Sequence, residues 1–334
     1  MADDPLWHLQ TAFSSALALA DDDVLARDAS DTTDATDGTV KRLAFNGLLA
    51  ASGLTPGGRL TTESGVPVSS SDRTSQGTLY YTPYLHDYVR LYDGTRPKLY
   101  LFTERSLSLT VTSGKNYDVF LYDNSGTLTM ELSAAWTNDT TPADALAWQS
   151  GVGWVKSGSA TRLWLGTIRA SGTNVTEDSG GGTSSQVGGK RFVWNAYNPV
   201  RRFLRVIDTT DSWTYTTATW RQANGASGNK VEWVSGDVHE YDAHVLSIVN
   251  NSGANGVSAG VGIDTTTAFT GLPGFTVPNT QAKSTTAVAK GRLAAGYHYA
   301  AWLEYSQAAG TTTWYGDAGA ATYVQSGLVC EVAG

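Results

Sequence analysis

Residues 107–132 read LSLTVTSGKNYDVFLYDNSGTLTMEL, and their pattern decides the fold class. Leu107, Leu109 and Val111 alternate with Ser108 and Thr110, the period-2 spacing that sends side chains to opposite faces of a strand. Ser113-Gly114-Lys115-Asn116 supplies turn residues. An aromatic and branched run follows from Tyr117 to Tyr122, and Asp123-Asn124-Ser125-Gly126 turns again before a third run, Thr127 to Leu132. Three such runs joined by Gly/Asn turns predict a β-meander.

The same texture extends outward in both directions. Upstream, Gly57 to Gly94 opens on a Gly-Gly turn, runs through Leu60-Thr61-Thr62 and the aromatic stretch Leu79-Tyr80-Tyr81-Thr82-Pro83-Tyr84, and closes on Asp93-Gly94. Downstream, residues 154–156, 162–168, 192–197, 230–234, 240–250, 257–264, 297–305 and 328–332 carry strand character. Residues 173–189 and 265–290 read as loops, the first rich in Gly and Ser and expected to move. Gly180-Gly181-Gly182 and Gly188-Gly189 lack the Gly-Lys-Ser/Thr that would hold a phosphate, and read as flexibility. No period of 20–50 residues suggests a propeller or solenoid. The expectation is an all-β chain of sandwich or jelly-roll-like domains, with a first β domain over 57–205 and a second over 206–334. Residues 1–56 form a helical and extended N-terminal attachment segment.

Composition agrees. The 334 residues include 36 Gly, 11 Trp and 16 Tyr, with only 16% charged, as suits many short strands and turns. The net charge of −8 is concentrated: residues 1–37 hold nine Asp and one Arg, which leaves 22 acidic and 22 basic residues for the rest. An acidic arm on a neutral body argues against nucleic acid, whose phosphates need clustered Lys and Arg. No apolar run reaches the ~18 residues that cross a bilayer, and MADDPLWHL lacks the basic and apolar regions of a secretory signal. Synthesis in a bacterial cytoplasm without membrane insertion is expected. The single Cys330 forms no internal disulfide and reads as a small buried residue.

Residues 5–27 show a helical period: Leu6, Leu9, Phe13, Ala16, Ala20 and Val24 fall on one stripe. The stripe suits either self-association as a short coiled coil or packing on the chain's own body. DASDTTDATDGT (28–39) buries no apolar surface and reads as an extended linker. The strand-like Val40-Lys41-Arg42-Leu43-Ala44-Phe45 comes next.

This Asp/Thr-rich turn followed by TVKRLAF resembles the N-terminal segments of bacteriophage fibre proteins, where such a strand helps tie the fibre to the virion. From Gly57 to about residue 222 the resemblance broadens. GGRLTTESGVPV, TLYYTPY, VRLYDG, the run 107–146, WLGTIRASG, TEDS and KRFVWNAYN occur in one order, similar to a module of phage and prophage tail or fibre components. The resemblance implies a virion structural protein and brings no catalytic residues. Leu6, Leu9, Phe13, Val24, Lys41, Arg42, Leu43 and Phe45 are then the candidates for virion attachment or oligomerisation.

Other constellations carry weaker chemistry. HEYDAH (239–244) would put Glu240, Asp242 and His244 on one strand face, but its two His residues point apart and lack the spacing of a zinc-binding helix. Glu104, Glu131, Glu177, Asp178, Glu232 and Glu304 offer carboxylates that a glycoside hydrolase would need in pairs, a pairing sequence does not give. No catalytic residue, metal or cofactor is expected. Among the aromatic residues, Trp213, Tyr215 and Trp220 are candidates for a receptor-binding patch, against a place in a core or subunit interface.

The chain is therefore expected to be a structural component of a tailed-phage virion, a fibre or fibre-like appendage for assembly and host adhesion. Its expected partners are its own copies as a homotrimer, other virion proteins, and a host surface glycan. The alternatives are a capsid decoration protein or head fibre, and a polysaccharide-degrading tail spike.

Overall fold

The computed structural model describes residues 23–28, 39–44 and 55–334. Among these the fold is all-β and sandwich-like, with a 3-10 turn at Ala223–Gly225 as the helical exception. Asp23–Asp28 pairs antiparallel with Thr39–Ala44. Val24, expected to close a helical stripe, therefore lies in a strand. Its register partner is Leu43, with Leu25 opposite Arg42 and Ala26 opposite Lys41. Branched Val24 and Val40 favour extended backbone. Leu6, Leu9, Phe13 and Phe45 lie outside the described residues.

The expected meander is a hairpin. Asn116–Asn124 and Thr127–Leu132 pair across the Asp123–Gly126 turn, but the other edge of Asn116–Asn124 is taken by Ser159–Gly172. Leu107 belongs to Arg105–Ser108, which pairs with Thr78–Pro83, itself paired with Gly58–Thr61. Beyond that strand Leu109 and Val111 still turn inward. Their N–H groups, however, donate to Gly77 O and Asn174 Oδ1 rather than to the next run. Alternation sets which face a side chain takes, not which strand lies alongside.

Ser159–Gly172 is the hub of a long composite sheet. From it the order runs through Val175–Gly181, Gly188–Arg191, Lys230–Ser235, Gly296–Ser306 and Val257–Ile263 to Gly274–Thr276. The junction between Gly188–Arg191 and Lys230–Ser235 is parallel, while the other pairs are antiparallel. Of residues 173–189, expected as a mobile loop, Val175–Gly181 and Gly188–Gly189 are strand within this sheet, and 182–187 are the turn between them. An added Cβ would fall 1.6 Å from Lys230 O at Gly188 and 2.2 Å from Gly180 O at Gly189, so these glycines permit backbone contact.

A second sheet orders Arg201–Ile207, Gly327–Ala333, His239–Asn251, Thr312–Tyr315 and Ser212–Thr214. Lys283–Leu293 pairs along the free edge of His239–Asn251. Residues 283–290 had been expected in a loop. Their inward positions are small (Thr285, Ala287, Ala289) and carry no hydrophobic signal. The boundary expected at 205/206 falls within Arg201–Ile207, which pairs along its whole length with Gly327–Ala333.

Two apolar cores follow. One gathers Leu60, Leu79, Tyr81, Val119, Leu121 and Leu163. The other is sandwiched between the sheets and includes Val231, Trp233, Val245, Val261, Trp302 and Trp314. Phe120, Trp164, Trp194 and Val234 make a smaller third cluster.

Buried polar groups tie the sheets to one another. Asn195 donates to Leu60 O and accepts from Leu60 N–H. The Arg59 guanidinium donates to the carbonyls of Pro67, Asn198 and Gly334. Asp178 accepts from Arg191 at 2.9 Å and from Arg202 at 2.8 Å.

Candidate interaction surfaces

The receptor-binding expectation is corrected for two of its three residues. Trp213 sits in the short strand Ser212–Thr214, opposite Trp314, and its ring is buried against Trp302 in an edge-to-face contact at 6.0 Å. Its Nε1–H donates to Glu304 at 2.7 Å. Tyr215 is also buried, its hydroxyl donating to Thr219 O at 2.8 Å while Arg221 stacks on its ring at 3.8 Å. Trp220 is half-buried, between Phe269 and Tyr305. The alternation placed Trp213 and Tyr215 on one face as expected, but that face is covered by the opposite sheet.

Each of the six carboxylates considered for hydrolysis is committed to a neighbouring donor. Glu104 accepts from Ser64, Gly65 and Thr82, each at 2.6 Å. Burial pushes its pKa up, but these bonds outweigh it and hold the carboxyl below the ordinary range. Glu131 pairs with Arg162, Glu177 with Lys190, Asp178 with Arg191 and Arg202, and Glu232 with Lys230. Glu304 is fully buried and bonded by Trp213 and Arg221, and burial raises its pKa to about 7 despite both donors.

Asp118 behaves similarly. It accepts from Thr167 Oγ1 at 2.7 Å and from the indole N–H groups of Trp136 (2.9 Å) and Trp164 (3.2 Å). Burial lifts it to about 6. These groups face inward and hold strands together.

On His239–Asn251 the alternation anticipated for HEYDAH holds. His239, Tyr241 and Ala243 point into the core, and Glu240, Asp242 and His244 point out. His239 is buried beside His298 and accepts from Trp233 Nε1; burial first, then the neighbouring imidazole, lowers its pKa to about 4. Asp242 bonds His244 at 2.6 Å and Lys290 at 2.8 Å. Among the described residues no group of three or more His, Cys, Asp and Glu is placed to hold a metal.

Those outward residues belong to a broad open face, four strands wide. Successive cross-strand rows read Phe203, Glu331, Asp242, Lys290; then Arg205, Val329, His244, Val288; then Ile207, Gly327, Leu246, Thr286. Exposed Phe203, Val329 and Leu246 are interleaved with charges of both signs. The Arg201–Glu331 and Glu240–Arg292 pairs border a shallow groove of about 490 Å³. A flat surface mixing apolar residues with balanced charge suits contact with another macromolecule better than enclosure of a small molecule.

A second exposed feature is a tryptophan pair, Trp148 and Trp154, on the hairpin Leu146–Gln149 and Gly153–Lys156. Neither residue is among the expected site residues. The signal was there: two tryptophans equidistant from a Gly-containing turn face each other once the hairpin forms.

No family model matches the chain, and no curated protein matches it. Among solved structures it is similar to the Bacillus thuringiensis Cry1Da tryptic core variant at 10% identity and a TM-score of 0.21, covering 92% of this chain and 56% of that one. For the mosquito-larvicidal Cry4Aa toxin of the same organism the values are 8% and 0.20, covering 79% and 50%. For an exo-β-1,3-galactanase of Phanerochaete chrysosporium they are 10% and 0.16, covering 94% and 69%. The chain spans about half the length of the toxin structures it matches.

Proposed function

We propose that this chain is a structural component of a tailed-bacteriophage virion, a fibre or fibre-like appendage that assembles with its own copies and adheres to the host surface. One observation carries the reading. The segments that resemble a phage tail or fibre module are also the ones whose side chains are spent on scaffold. TLYYTPY supplies the buried Leu79 and Tyr81, and the run 107–146 supplies Asp118 with the donor Trp136. TEDS supplies the clamp Asp178, and KRFVWNAYN supplies Asn195. A module whose characteristic residues brace strands is suited to bearing load and presenting surfaces, and fold alone would not have argued this. The open face around Asp242 and Val329 is a natural place for another virion protein or a second copy.

Antibodies raised against the chain test the reading when applied to whole particles under negative stain. Labelling at the tail, with adsorption blocked, is the expected result. Labelling over the icosahedral head would replace the fibre with a capsid decoration protein or head fibre. Absence from particles would overturn the virion assignment, and sugar released from host polysaccharide by the pure protein would make it a spike enzyme. Replacing Leu6, Leu9 and Phe13 by Asp in the full chain is expected to abolish incorporation into virions; normal incorporation would remove the attachment role of that segment.

A further inference from the structure

We infer that Trp148 and Trp154 form a carbohydrate-binding corner for a neutral pyranose unit of a surface polysaccharide, an inference that rests on the adhesive role proposed above. The two rings lie on directly opposed positions of a hairpin, 5.6 Å between centroids and 79° between planes, and remain 64% and 41% exposed. An apolar side chain that large seldom stays in water on a lone hairpin without a partner. The edge-to-face arrangement makes an L-shaped corner. A pyranose presents a weakly polar C–H face to one indole and its rim to the other, with hydroxyls left free at the edge.

The neighbours of the corner supply groups for those hydroxyls. Lys156 is two residues beyond Trp154 and leaves the strand on the same side, opposite to Val155, which turns into the core. This cation is not loose, since it pairs with Asp144 at 2.9 Å. Both side chains of the pair are half-buried, so a donor and an acceptor are held in place before any ligand arrives. One cation with one anion leaves no net charge, which disfavours a polyanion such as nucleic acid or an acidic lipid surface and favours a polyol.

A second copy of the chain is the weaker occupant. Together the exposed parts of both indoles amount to roughly one whole side chain, about 250 Å², well short of the ~800 Å² per partner of a stable protein interface.

The test uses the full chain on a printed array of neutral hexose and N-acetylhexosamine oligosaccharides, followed by titration of tryptophan emission with the best responders. Binding is expected, with Trp148→Ala and Trp154→Ala each weakening it at least tenfold, and Trp148→Phe retaining part of it. Trp148 is the more exposed of the two, so its alanine variant should stay close to the parent's melting temperature, which separates loss of the site from loss of the fold. No binding to any arrayed glycan at millimolar concentration would overturn the inference, as would a double alanine variant that binds like the parent. A double variant whose mass by light scattering falls to that of a smaller oligomer would reassign the pair to a subunit interface. Particle labelling is independent of all these readouts, so failure here leaves the virion reading standing and failure there leaves the glycan result intact.

Discussion

Replacing Asp178 by Ala should be among the most damaging single changes in this protein, and the structure gives the size of the effect. Asp178 is buried in Val175–Gly181 and accepts from two arginines that are themselves nearly buried, Arg191 of the next strand and Arg202 of the second sheet. Arg202 also donates to Ser69 O, and Arg191 to Phe203 O, so neither guanidinium is free to swing into water. Removing the carboxylate leaves two positive charges facing each other in a site of low polarity, each short of an acceptor. Breaking one buried pair by deleting a partner costs about 3–5 kcal/mol. In a chain this size that corresponds to a fall in melting temperature on the order of 10 °C. The control is Glu240→Ala, whose Arg292 pair is exposed on both sides; it should cost at most about 1 kcal/mol. Asp178→Asn, which retains an acceptor, should fall between the two. Urea denaturation followed by tryptophan fluorescence measures all three. If Asp178→Ala costs no more than Glu240→Ala, the idea that this triad locks the composite sheet to the second sheet is wrong.

Three further outcomes follow from the same geometry. Glu304 has its pKa raised by burial to about 7, so between its unfolded value near 4.5 and pH 7 the folded state holds a proton that the unfolded chain releases. This contribution is complete below pH 4.5 and lost as pH rises through 7, on the order of 3 kcal/mol. Asp118 acts in the same direction up to about pH 6, and His239, with its pKa lowered to about 4, opposes both. Denaturation midpoints at pH 5 and pH 8 should therefore show Glu304→Gln gaining on the parent as pH rises; parallel curves would contradict the assignment. Gly188→Ala should prevent soluble folding, since its Cβ would overlap Lys230 O, whereas Gly77→Ala, whose nearest contact is 3.6 Å, should express normally; both are scored by soluble yield. Cys330 is buried with its thiol pushed up to about 12 by that burial, so a disulfide reagent should titrate it in denaturant and not in the native protein.

Strand identity was written plainly in the sequence wherever the inward positions are large. Lys230–Ser235 and Gly296–Ser306 carry Val231, Trp233 and Trp302 at alternate sites, and period and bulk together exposed them. Lys283–Leu293 has the same alternation, but in Thr and Ala, and so was invisible. The glycines of 180–189 misled for a related reason. A residue chosen so that two backbones can touch has the same composition as one chosen for flexibility, and only the partner strand, some 40 positions away at Lys230, tells them apart. Pairing across such separations is set by the whole core, which is why Leu107 was assigned the wrong neighbour.

The same distinction governs the candidate sites. Alternation correctly placed Trp213 with Tyr215 and Glu240 with Asp242 and His244, yet one face proved to be core and the other surface, because exposure depends on what a distant strand covers. The residues best equipped for adhesion are therefore those that the fold had no means of covering. Trp148 and Trp154 lie on a hairpin attached to the main sheet through one short pairing with Ser159–Gly172, with Ala147 and Val155 already turned inward. The opposite face packs Leu146 against the third apolar cluster, and beyond it, at Trp148 and Trp154, that face meets water or a ligand. Serine or threonine there would satisfy the strand pairing equally well. Two indoles, held edge to face beside an ordered ion pair, are better explained by what they touch outside the protein.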